Sequence, residues 1–344
     1  MLTKLDKKMR AAPLRLLFAY FLLPTVSLQA QGPPAVKALS DSTRRVVFDR
    51  GAFSGASTPL PQWDNGFLLS REIETSRAGE SNVRVYDKSG VKVREAAIWF
   101  PGSKRLTIYS VAATSDGRII AGGAADKLDG SVGPFIAFTD LSGKVTDVIQ
   151  TNGFAPTNIC QAPNGTIWSF GGTGYASHSE PKPGDTLRHF DFHQGQIGSY
   201  LPRSSFPKRP TPETLAYIRC SANEVVIYST KAQEYIEMEY NGDSPHIYHA
   251  QVPSDLRLVG FAVTGPKKVY GYFSIRGEGG LYYLSFDEAA NTVTWLPVRG
   301  TVGAYTTPGV ITGLWGSDGS QLLVSRAADS AGNIALHWTT PIDR

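Results

Sequence analysis

The sequence predicts an all-β fold built from one antiparallel strand, turn, strand unit that recurs six times between about residues 63 and 340. Three observations lead to this prediction. A turn sequence recurs at steps of 43 to 59 residues, and short runs rich in β-branched and aromatic residues follow the turns. No long apolar stripe at helical spacing occurs after the first thirty residues. A period of this length is typical of a ring of small sheets.

The recurring turn consists of residues that readily adopt hairpin conformations. Its central positions define units one to six and are Asn65, Asp116, Asn164, Asn223, Pro266 and Asp318. The first strand of each unit precedes the turn and the second follows it. A third strand and a second turn follow in most units, as in Val83–Tyr86 before residues 87–90. The sequence therefore predicts four-stranded antiparallel blades.

The last unit ends with only three strands accounted for, in residues 333–340. The segment 44–49, with sequence RRVVFD, precedes unit one and has no partner of its own. We expect it to pair with the C-terminal strand and cover an otherwise bare sheet edge. The predicted fold is thus a six-bladed β-propeller closed by an N-terminal strand.

Two segments of the second unit resemble a known family. VAATSDGRIIAGG (111–123) and FIAFTDLSGKVTDVI (135–149) resemble repeats of six-bladed β-propellers of the NHL and TolB-like kind, and the resemblance extends over roughly residues 44–340. The double glycines 122–123 and 171–172 are similar to those of kelch repeats. Four of the six units lack a double glycine, so kelch ranks second.

The first thirty residues have the pattern of a secretory signal peptide, because five basic residues accompany an apolar run over 16–28. Cleavage after Ala30 would leave a linker, 31–43, and a single propeller domain, 44–344. The apolar run is short for a membrane span. We expect a secreted or periplasmic protein without stable membrane insertion, with an uncleaved anchor as the alternative.

Removing residues 1–30 takes away five basic residues and one acidic residue and leaves no net charge. Nucleic acids and anionic membranes select proteins with a concentrated basic excess. We therefore expect neither as a partner, and we expect a monomer.

Cys160 and Cys220 occupy matching positions in units three and four. Export favours a disulfide. First strands of adjacent blades are expected to diverge around a channel, however, and a disulfide requires a Cα separation below about 7 Å. Two buried thiols are the favoured expectation, and a disulfide is the alternative.

The resemblance implies that the loops between second and third strands, and the crossings between blades, share the ligand-binding face. We call this the long-loop face. Charged residues there suit a polar ligand such as a glycan or a peptide, or a protein partner, although solvated loop charges would look the same. The candidate ligand-binding residues are Arg71, Glu72, Asp126, Asp129, His178, Arg203, Arg276, Glu278, Arg326 and Asp329.

No local motif of a nucleophile, metal or cofactor site occurs, so we assign no catalytic residue, no metal ligand and no cofactor. His189, Asp191 and His193 alternate along one strand at a spacing compatible with a metal. Their place on an outer strand favours ordinary half-exposed polar residues instead.

The leading hypothesis is an exported, non-catalytic propeller that binds its ligand through the long-loop face. The alternative is an extracytoplasmic hydrolase or lyase that acts on a carbohydrate or a lactone. In that case Glu72, Asp126, Asp129 and Glu278 would supply acid and base at the channel mouth.

Overall fold

Consecutive β-strands fold back on one another into small antiparallel sheets. The computed structural model describes residues 37–40, 44–48, 62–173, 184–205, 216–243, 245–252, 256–307, 310–326 and 334–343. The predicted signal peptide, His178 and Asp329 lie outside these ranges. Within them the sole helical segment is a short 3-10 helix, Arg203–Ser205. No helix in the described part of the chain is long and apolar enough to cross a membrane.

The strands are short and are numbered in chain order. In the described ranges they are β1 (Lys37–Leu39), β2 (Arg44–Phe48), β3 (Gln62–Asp64), β4 (Phe67–Arg71), β5 (Glu74–Thr75), β6 (Val83–Tyr86), β7 (Lys92–Ala96), β8 (Ser103–Ala113), β9 (Ile119–Lys127), β10 (Val132–Thr139), β11 (Val145–Gln150), β12 (Phe154–Gln161), β13 (Ile167–Thr173), β14 (Asp185–Asp191), β15 (Gly195–Pro202), β16 (Ala216–Cys220), β17 (Glu224–Ser229), β18 (Glu234–Glu239), β19 (His246–Gln251), β20 (Arg257–Gly265), β21 (Lys268–Ile275), β22 (Glu278–Asp287), β23 (Thr292–Pro297), β24 (Gly303–Ala304), β25 (Ile311–Ser317), β26 (Leu322–Arg326), β27 (Ile334–Thr339) and β28 (Pro341–Asp343).

Each unit of the sequence repeat forms one antiparallel set of strands. Units one and three pair as β3-β4-β6-β7 and β12-β13-β14-β15, and unit two pairs β8 to β11 with β5 added beside β8. Unit four contains β16 to β19, and unit five contains β20 to β23 with β24 at the edge of β22. In unit six, β2 completes the set β25-β26-β27.

Units four and five are not separate sheets, which differs from the prediction. Their outermost strands, β19 and β23, pair in parallel and join the two units into one nine-stranded sheet. The backbone N–H of His249 donates to the carbonyl of Asn291 at 3.0 Å, and Thr294 Oγ1 donates to Gln251 Oε1 at 3.3 Å. The outer edges of these two units therefore satisfy each other's hydrogen bonds.

The sheets stand around a common axis in a propeller-like arrangement. The first strands contact one another in succession, from β8 through β12, β16 and β20 to β25, and β25 contacts β3. Unit one contacts unit two through β4 and β8. The buried side chains form clusters that each join two neighbouring units. Burial thus occurs between sheets, as in other repeat architectures.

Second strands are buried on both faces, which explains why the sequence shows continuous apolar runs there. In β9 every residue from Ile119 to Ala125 is buried, whereas the outer strand β11 has none that is fully buried. Gly122 lies at a close approach to the neighbouring unit, because a Cβ there would lie 2.8 Å from the carbonyl oxygen of Pro156. The double glycine thus has a packing reason within this fold.

The predicted pairing of the chain's ends is confirmed. β2 pairs antiparallel with β27, which places Val46 opposite Leu336. A second pairing, not predicted, joins β1 to β28. Between these two pairings, Thr339 Oγ1 donates a hydrogen bond to the carbonyl of Ser40 at 2.8 Å. Trp63 of unit one and Trp338 of unit six meet edge to face at 4.9 Å across the same seam.

The expectation of two free thiols is wrong. Cys160 and Cys220 form a disulfide with a Cα separation of 5.6 Å. β12 and β16 are in contact at this point, so the first strands do not diverge enough to keep the sulfurs apart. The bridge ties unit three to unit four.

Removing the N-terminal strands should destabilise the whole ring. A chain that begins at residue 49 lacks β1 and β2 and leaves β27 with a bare edge. We expect its thermal midpoint to fall by roughly 10 °C or more relative to a chain that begins at residue 37, since each kcal/mol shifts the midpoint of a large domain by about 2–4 °C. Equal midpoints in calorimetry would show that the seam does not contribute to stability.

Removing the disulfide should lower the free energy of unfolding by up to about 4 kcal/mol, because the bridge closes a loop with a sequence separation of 60. The measurement is urea unfolding of the wild type and of the Cys160→Ser/Cys220→Ser variant, with and without reductant. Only the wild type should respond to reductant. A thiol assay that finds two free sulfhydryls in the unfolded, unreduced wild type would contradict the bridge.

Candidate functional site

The candidate residues of unit one take part in contacts at its border with unit two. Arg71 ends β4, and its Nη1 donates to the carbonyl oxygen of Ile108 in β8. Burial lowers the pKa of Arg71 to about 10, so the guanidinium stays charged at neutral pH. Glu72 lies beside it in sequence and forms an ion pair with Arg84 at 3.0 Å. Arg71 thus bridges two units.

The candidate carboxylates of unit two also have partners. Asp126 Oδ2 accepts from Arg105 Nη2 at 2.6 Å and from its Nε at 2.8 Å. Asp129 lies in the turn between β9 and β10, where its Oδ1 accepts from the backbone N–H of Ser131 at 2.9 Å. The Ser131 hydroxyl lowers the pKa of Asp129. These contacts pair Asp126 with Arg105 and favour the anionic form of Asp129.

The remaining described candidates belong to units three, five and six. Arg203 begins the 3-10 helix, and its backbone N–H donates to the carbonyl of Gly184 at 3.1 Å. Arg276 and Glu278 lie in and beside the tight turn between β21 and β22, where Arg276 has a φ of 37°. Arg326 ends β26 and is partly buried. The connection between β21 and β22 in unit five is therefore a short hairpin.

A cavity of about 250 Å³ lies between units four and five. One wall comes from the loop between β17 and β18, and the other comes from Val252 and Leu256, the described ends of the crossing between β19 and β20, with the start of β20. These are the two kinds of connection that the sequence analysis assigns to the long-loop face. We call this cavity the unit 4/5 cleft. Its apolar lining is Tyr228, Val252, Leu256, Leu258 and Phe273.

The polar lining of the cleft carries positive charge. It consists of Thr230, Lys231, Gln233 and Arg257. Two of these side chains are cationic, and no carboxylate is found among the described residues that line the cleft.

Tyr217 connects the cleft region to the axis. Its hydroxyl donates to the carbonyl of Leu258 at 3.3 Å. Burial raises the pKa of Tyr217 to about 12, and the nearby Arg219 and Arg257 act in the opposite direction. Tyr217 therefore stays neutral at physiological pH and provides a hydroxyl, not a charge.

Two oppositely charged side chains on first strands influence each other's pKa. Asp64 of unit one accepts at Oδ2 from the backbone N–H of Ala113 at 2.8 Å. Arg219 of unit four donates from Nη2 to the carbonyl of Phe261 at 3.0 Å. Asp64 and Arg219 attract each other although they belong to units one and four. Each group also fastens its own unit to a neighbour.

Burial raises the pKa of Asp64 and lowers the pKa of Arg219, so each shift favours the uncharged form of the side chain. Desolvation raises the pKa of Asp64 to about 6, whereas the hydrogen bond from Ala113 and the attraction of Arg219 lower it. Desolvation likewise lowers the pKa of Arg219, and Asp64 opposes that shift. The carboxyl group of Asp64 thus titrates well above the ordinary range of an aspartate.

A second carboxyl group with a raised pKa begins β18. Glu234 is 3% exposed, and its Oε2 has no hydrogen-bond partner among the described residues. Burial raises the pKa of Glu234 to about 7. It alternates with Ile236, whose side chain belongs to the cluster between units three and four. Glu234 thus faces away from the unit 4/5 cleft, whose lining includes its neighbour Gln233.

The alternating histidines of unit three are engaged in local contacts. His189 stacks on Trp168 with ring centroids 4.0 Å apart, and its Nε2 lies 2.7 Å from Thr166 Oγ1. Asp191 accepts from the backbone N–H of His193 at 2.8 Å. No group of three potential metal-ligating side chains occurs within the described ranges. These residues have structural roles in the strand and its turn.

Comparisons with known proteins assign no family to this propeller-like all-β chain. No family model matches it, and no curated protein matches it. The WD40 repeats of RRP9 are similar at 10% identity and a TM-score of 0.47, over 90% of this chain and 86% of that one. A luciferin-regenerating enzyme is similar at 12% identity and a TM-score of 0.48, and the similarity covers 86% of this chain and 95% of that one.

A gluconolactonase from Xanthomonas campestris is similar at 13% identity and a TM-score of 0.45, over 90% of this chain and 99% of that one. Likenesses this weak carry no conclusion about activity. The specific resemblance to NHL and TolB-like propellers is not confirmed by them. The propeller-like arrangement rests on the strand pairing and contacts described above.

The residues that sequence reasoning missed lie in unremarkable places in the sequence. Asp64 is part of a turn motif, Lys231 lies in a short loop, and Arg257 begins a strand. The loop between β17 and β18 of unit four is short, so its length did not mark it as part of a binding site. Arg219 offered one signal, since a charged residue beside Cys220 on an innermost strand is unusual for a buried position.

Asp64 should make stability depend on pH. A carboxyl group with a folded-state pKa above its ordinary value of 3.8 costs folding free energy when it ionises, and this cost is complete above about 6. We expect the free energy of unfolding of the wild type to fall by about 1–3 kcal/mol relative to that of Asp64→Asn as the pH rises from about 4 to 7. Urea unfolding across this range measures the difference.

Asp87→Asn is the matched control, because contacts with Ser89 lower the pKa of Asp87. A lowered pKa stabilises the folded state at pH values above the ordinary pKa of aspartate. The free energy of unfolding of the wild type should therefore rise relative to that of Asp87→Asn as the pH rises. If the stability of the wild type relative to Asp64→Asn and relative to Asp87→Asn changes in the same direction with pH, the environment assigned to Asp64 is wrong.

Proposed function

We propose that this chain is an exported, non-catalytic, six-bladed propeller that binds a polar ligand or a protein partner through its long-loop face. The observation that carries the proposal is the unit 4/5 cleft, which combines apolar walls with two cationic side chains on that face. A concave site with apolar walls and a few polar groups is the usual form of a ligand-binding site.

Six blades are supported by the clusters between sheets. Each cluster joins one pair of consecutive units, and one joins unit six to unit one. In this interpretation the nine-stranded sheet consists of two blades whose outer strands pair. The pairing of β2 with β27 then completes the sixth blade and closes the ring. As part of the same proposal, we infer that the repeats are of the NHL and TolB-like kind.

Export is supported by the disulfide between Cys160 and Cys220. Such bridges form and persist in secreted and periplasmic proteins and are rare in reducing compartments. The signal-like pattern of residues 1–30 is consistent with this location. The neutral mature chain favours a small molecule, a glycan or a protein as the partner, with a monomeric propeller as the binding unit.

The hydrolase or lyase alternative has less support. Glu72 is paired with Arg84, Asp126 with Arg105, and Asp129 with its own turn. A general acid needs a raised pKa, whereas hydrogen bonds lower the pKa of Asp129. A binding role therefore fits these carboxylates better than an acid and base role.

The test is a ligand screen with the mature chain, residues 31–344. Neutral and acidic monosaccharides, oligosaccharides, short peptides and small organic acids are screened by thermal shift and confirmed by calorimetry. We expect at least one ligand whose binding Leu256→Trp abolishes, because the indole would fill the cleft. Mass spectrometry after prolonged incubation should find the ligand unchanged.

Ala289→Trp is the matched control, since Ala289 is exposed in the turn at the opposite end of unit five. It should bind like the wild type. Binding that survives Leu256→Trp would move the site away from the cleft. A panel without any ligand, or a ligand converted to product, would overturn the proposal of a non-catalytic binding protein.

A further inference from the structure

We infer that Asn152 is a site of spontaneous modification, where the side-chain amide is lost through a cyclic imide and an aspartate or an isoaspartate is formed. The sequence contains four Asn-Gly pairs, at 65–66, 152–153, 164–165 and 241–242, and all four lie between consecutive strands. The hydrogen bonds of these four turns differ, and they single out Asn152. The product adds a negative charge to the crossing between β11 and β12.

The reaction needs only the chain itself and water. The backbone nitrogen of Gly153 loses its proton and attacks the side-chain carbonyl carbon, Cγ, of Asn152. The new bond joins this nitrogen to Cγ, the bond from Cγ to Nδ2 breaks, and ammonia leaves with the proton. Water then opens the imide ring at either of its carbonyl groups. Because the two reacting groups are neighbours in one chain, the local geometry controls the rate.

The turn at Asn152 reaches the reactive geometry by rotation of a single peptide unit. Asn152 and Gly153 have φ values of 50° and 82°. The N–H of Phe154 donates to the carbonyl of Thr151 across them at 3.0 Å, so the turn is of type I′. Rotation of the central peptide unit converts type I′ into type II′, which gives the first central residue a ψ of about −120°, and the imide ring imposes a ψ close to this value. Glycine readily adopts the negative φ that the second position then requires.

Nothing in the described part of the chain restrains this peptide unit or this side chain. Asn152 and Gly153 are exposed. Neither the peptide group between them nor the Asn152 side-chain amide forms a hydrogen bond to a described residue. A Cβ at Gly153 would meet no atom within 4 Å, so the peptide unit has room to rotate. The ends of the turn stay fixed meanwhile, since Thr151 Oγ1 also donates to the carbonyl of Phe154.

Asn65 provides a matched comparison within the same chain. Asn65 and Gly66 have φ values of 44° and 91°. Asp64 pairs with Phe67 across them, so this turn is also of type I′. The difference lies in the side chain, because Asn65 Nδ2 donates to the carbonyl of Ala113 at 2.6 Å. This bond ties the leaving amide to the neighbouring unit and must break first, so the reaction should be slower here.

The other two Asn-Gly pairs are restrained at the attacking nitrogen. In both, the glycine N–H donates to a backbone carbonyl three residues earlier at 2.9 Å. Asn164 Oδ1 also accepts from the Thr166 hydroxyl at 2.7 Å. Asn241 Nδ2 donates to Glu239 Oε2 at 3.3 Å. Formation of the imide at either position would break these hydrogen bonds, which adds to the barrier.

The experiment follows all four sites in the mature chain by peptide mapping and mass spectrometry during storage at mildly alkaline pH. We expect Asn152 to lose its amide at least about fivefold faster than Asn65, because a hydrogen bond must break first at Asn65 alone. It should also react faster than Asn164 and Asn241. The same chain unfolded in guanidinium chloride is the control, and there the four sites should react at similar rates.

Two variants check the assignment through the ammonia that the folded chain releases. Asn152→Gln should lose most of this release, since a glutamine at this position cannot form the five-membered ring. Asn241→Gln, which also replaces an exposed asparagine, is the matched control and should release ammonia like the wild type. Thermal midpoints equal to that of the wild type would establish that both variants are folded. Equal rates at Asn152 and Asn65 in the folded wild type, or a faster rate at any of the other three sites, would overturn the inference.

Discussion

The pairing between the two ends of the chain is the constraint on which the rest of this structure depends. Burial occurs between neighbouring sheets, so every unit needs a unit on each side. Unit one and unit six contact each other through β3 and β25, and the pairing of β1 and β2 with β28 and β27 ties the two ends of the chain together at this border. The edge-to-face contact of Trp63 and Trp338 lies at this seam. Without it the first and last units would each present one apolar face to water.

Polar groups near the axis are retained at a cost in free energy. Asp64 and Arg219 are both desolvated, and removal of a charge from water is unfavourable unless hydrogen bonds replace the lost hydration. Each group obtains such bonds from the backbone of an adjacent unit. Their mutual attraction further offsets the cost. A buried charge in this position therefore orients units relative to each other, whereas an apolar side chain would only fill space.

The sequence predicted the fold well because turns and strands are local. Turn residues such as Asn65 and Gly66 adopt positive φ values, and the apolar run after each turn is a doubly buried second strand. The site was less predictable, since contacts between units leave no spacing in the sequence. Arg71 was expected to bind a ligand and lies at the border of two units. Lys231 and Arg257 come together only because the β17–β18 loop lies beside the start of β20. The disulfide was misjudged for the same reason, as strand separation depends on the curvature of the ring.

The parallel pairing of β19 with β23 makes the ring asymmetric in its mechanics. Most other neighbouring units are joined mainly by side-chain packing, and units one and two have in addition the two-residue pairing of β5 with β8. Units four and five are joined by a backbone ladder as well, and so they move as one rigid sector. Thermal breathing of the molecule should concentrate at its other borders, and transient local opening of either unit must break bonds in both. The sector that contains the cleft is therefore held more firmly than a border made of side-chain packing alone.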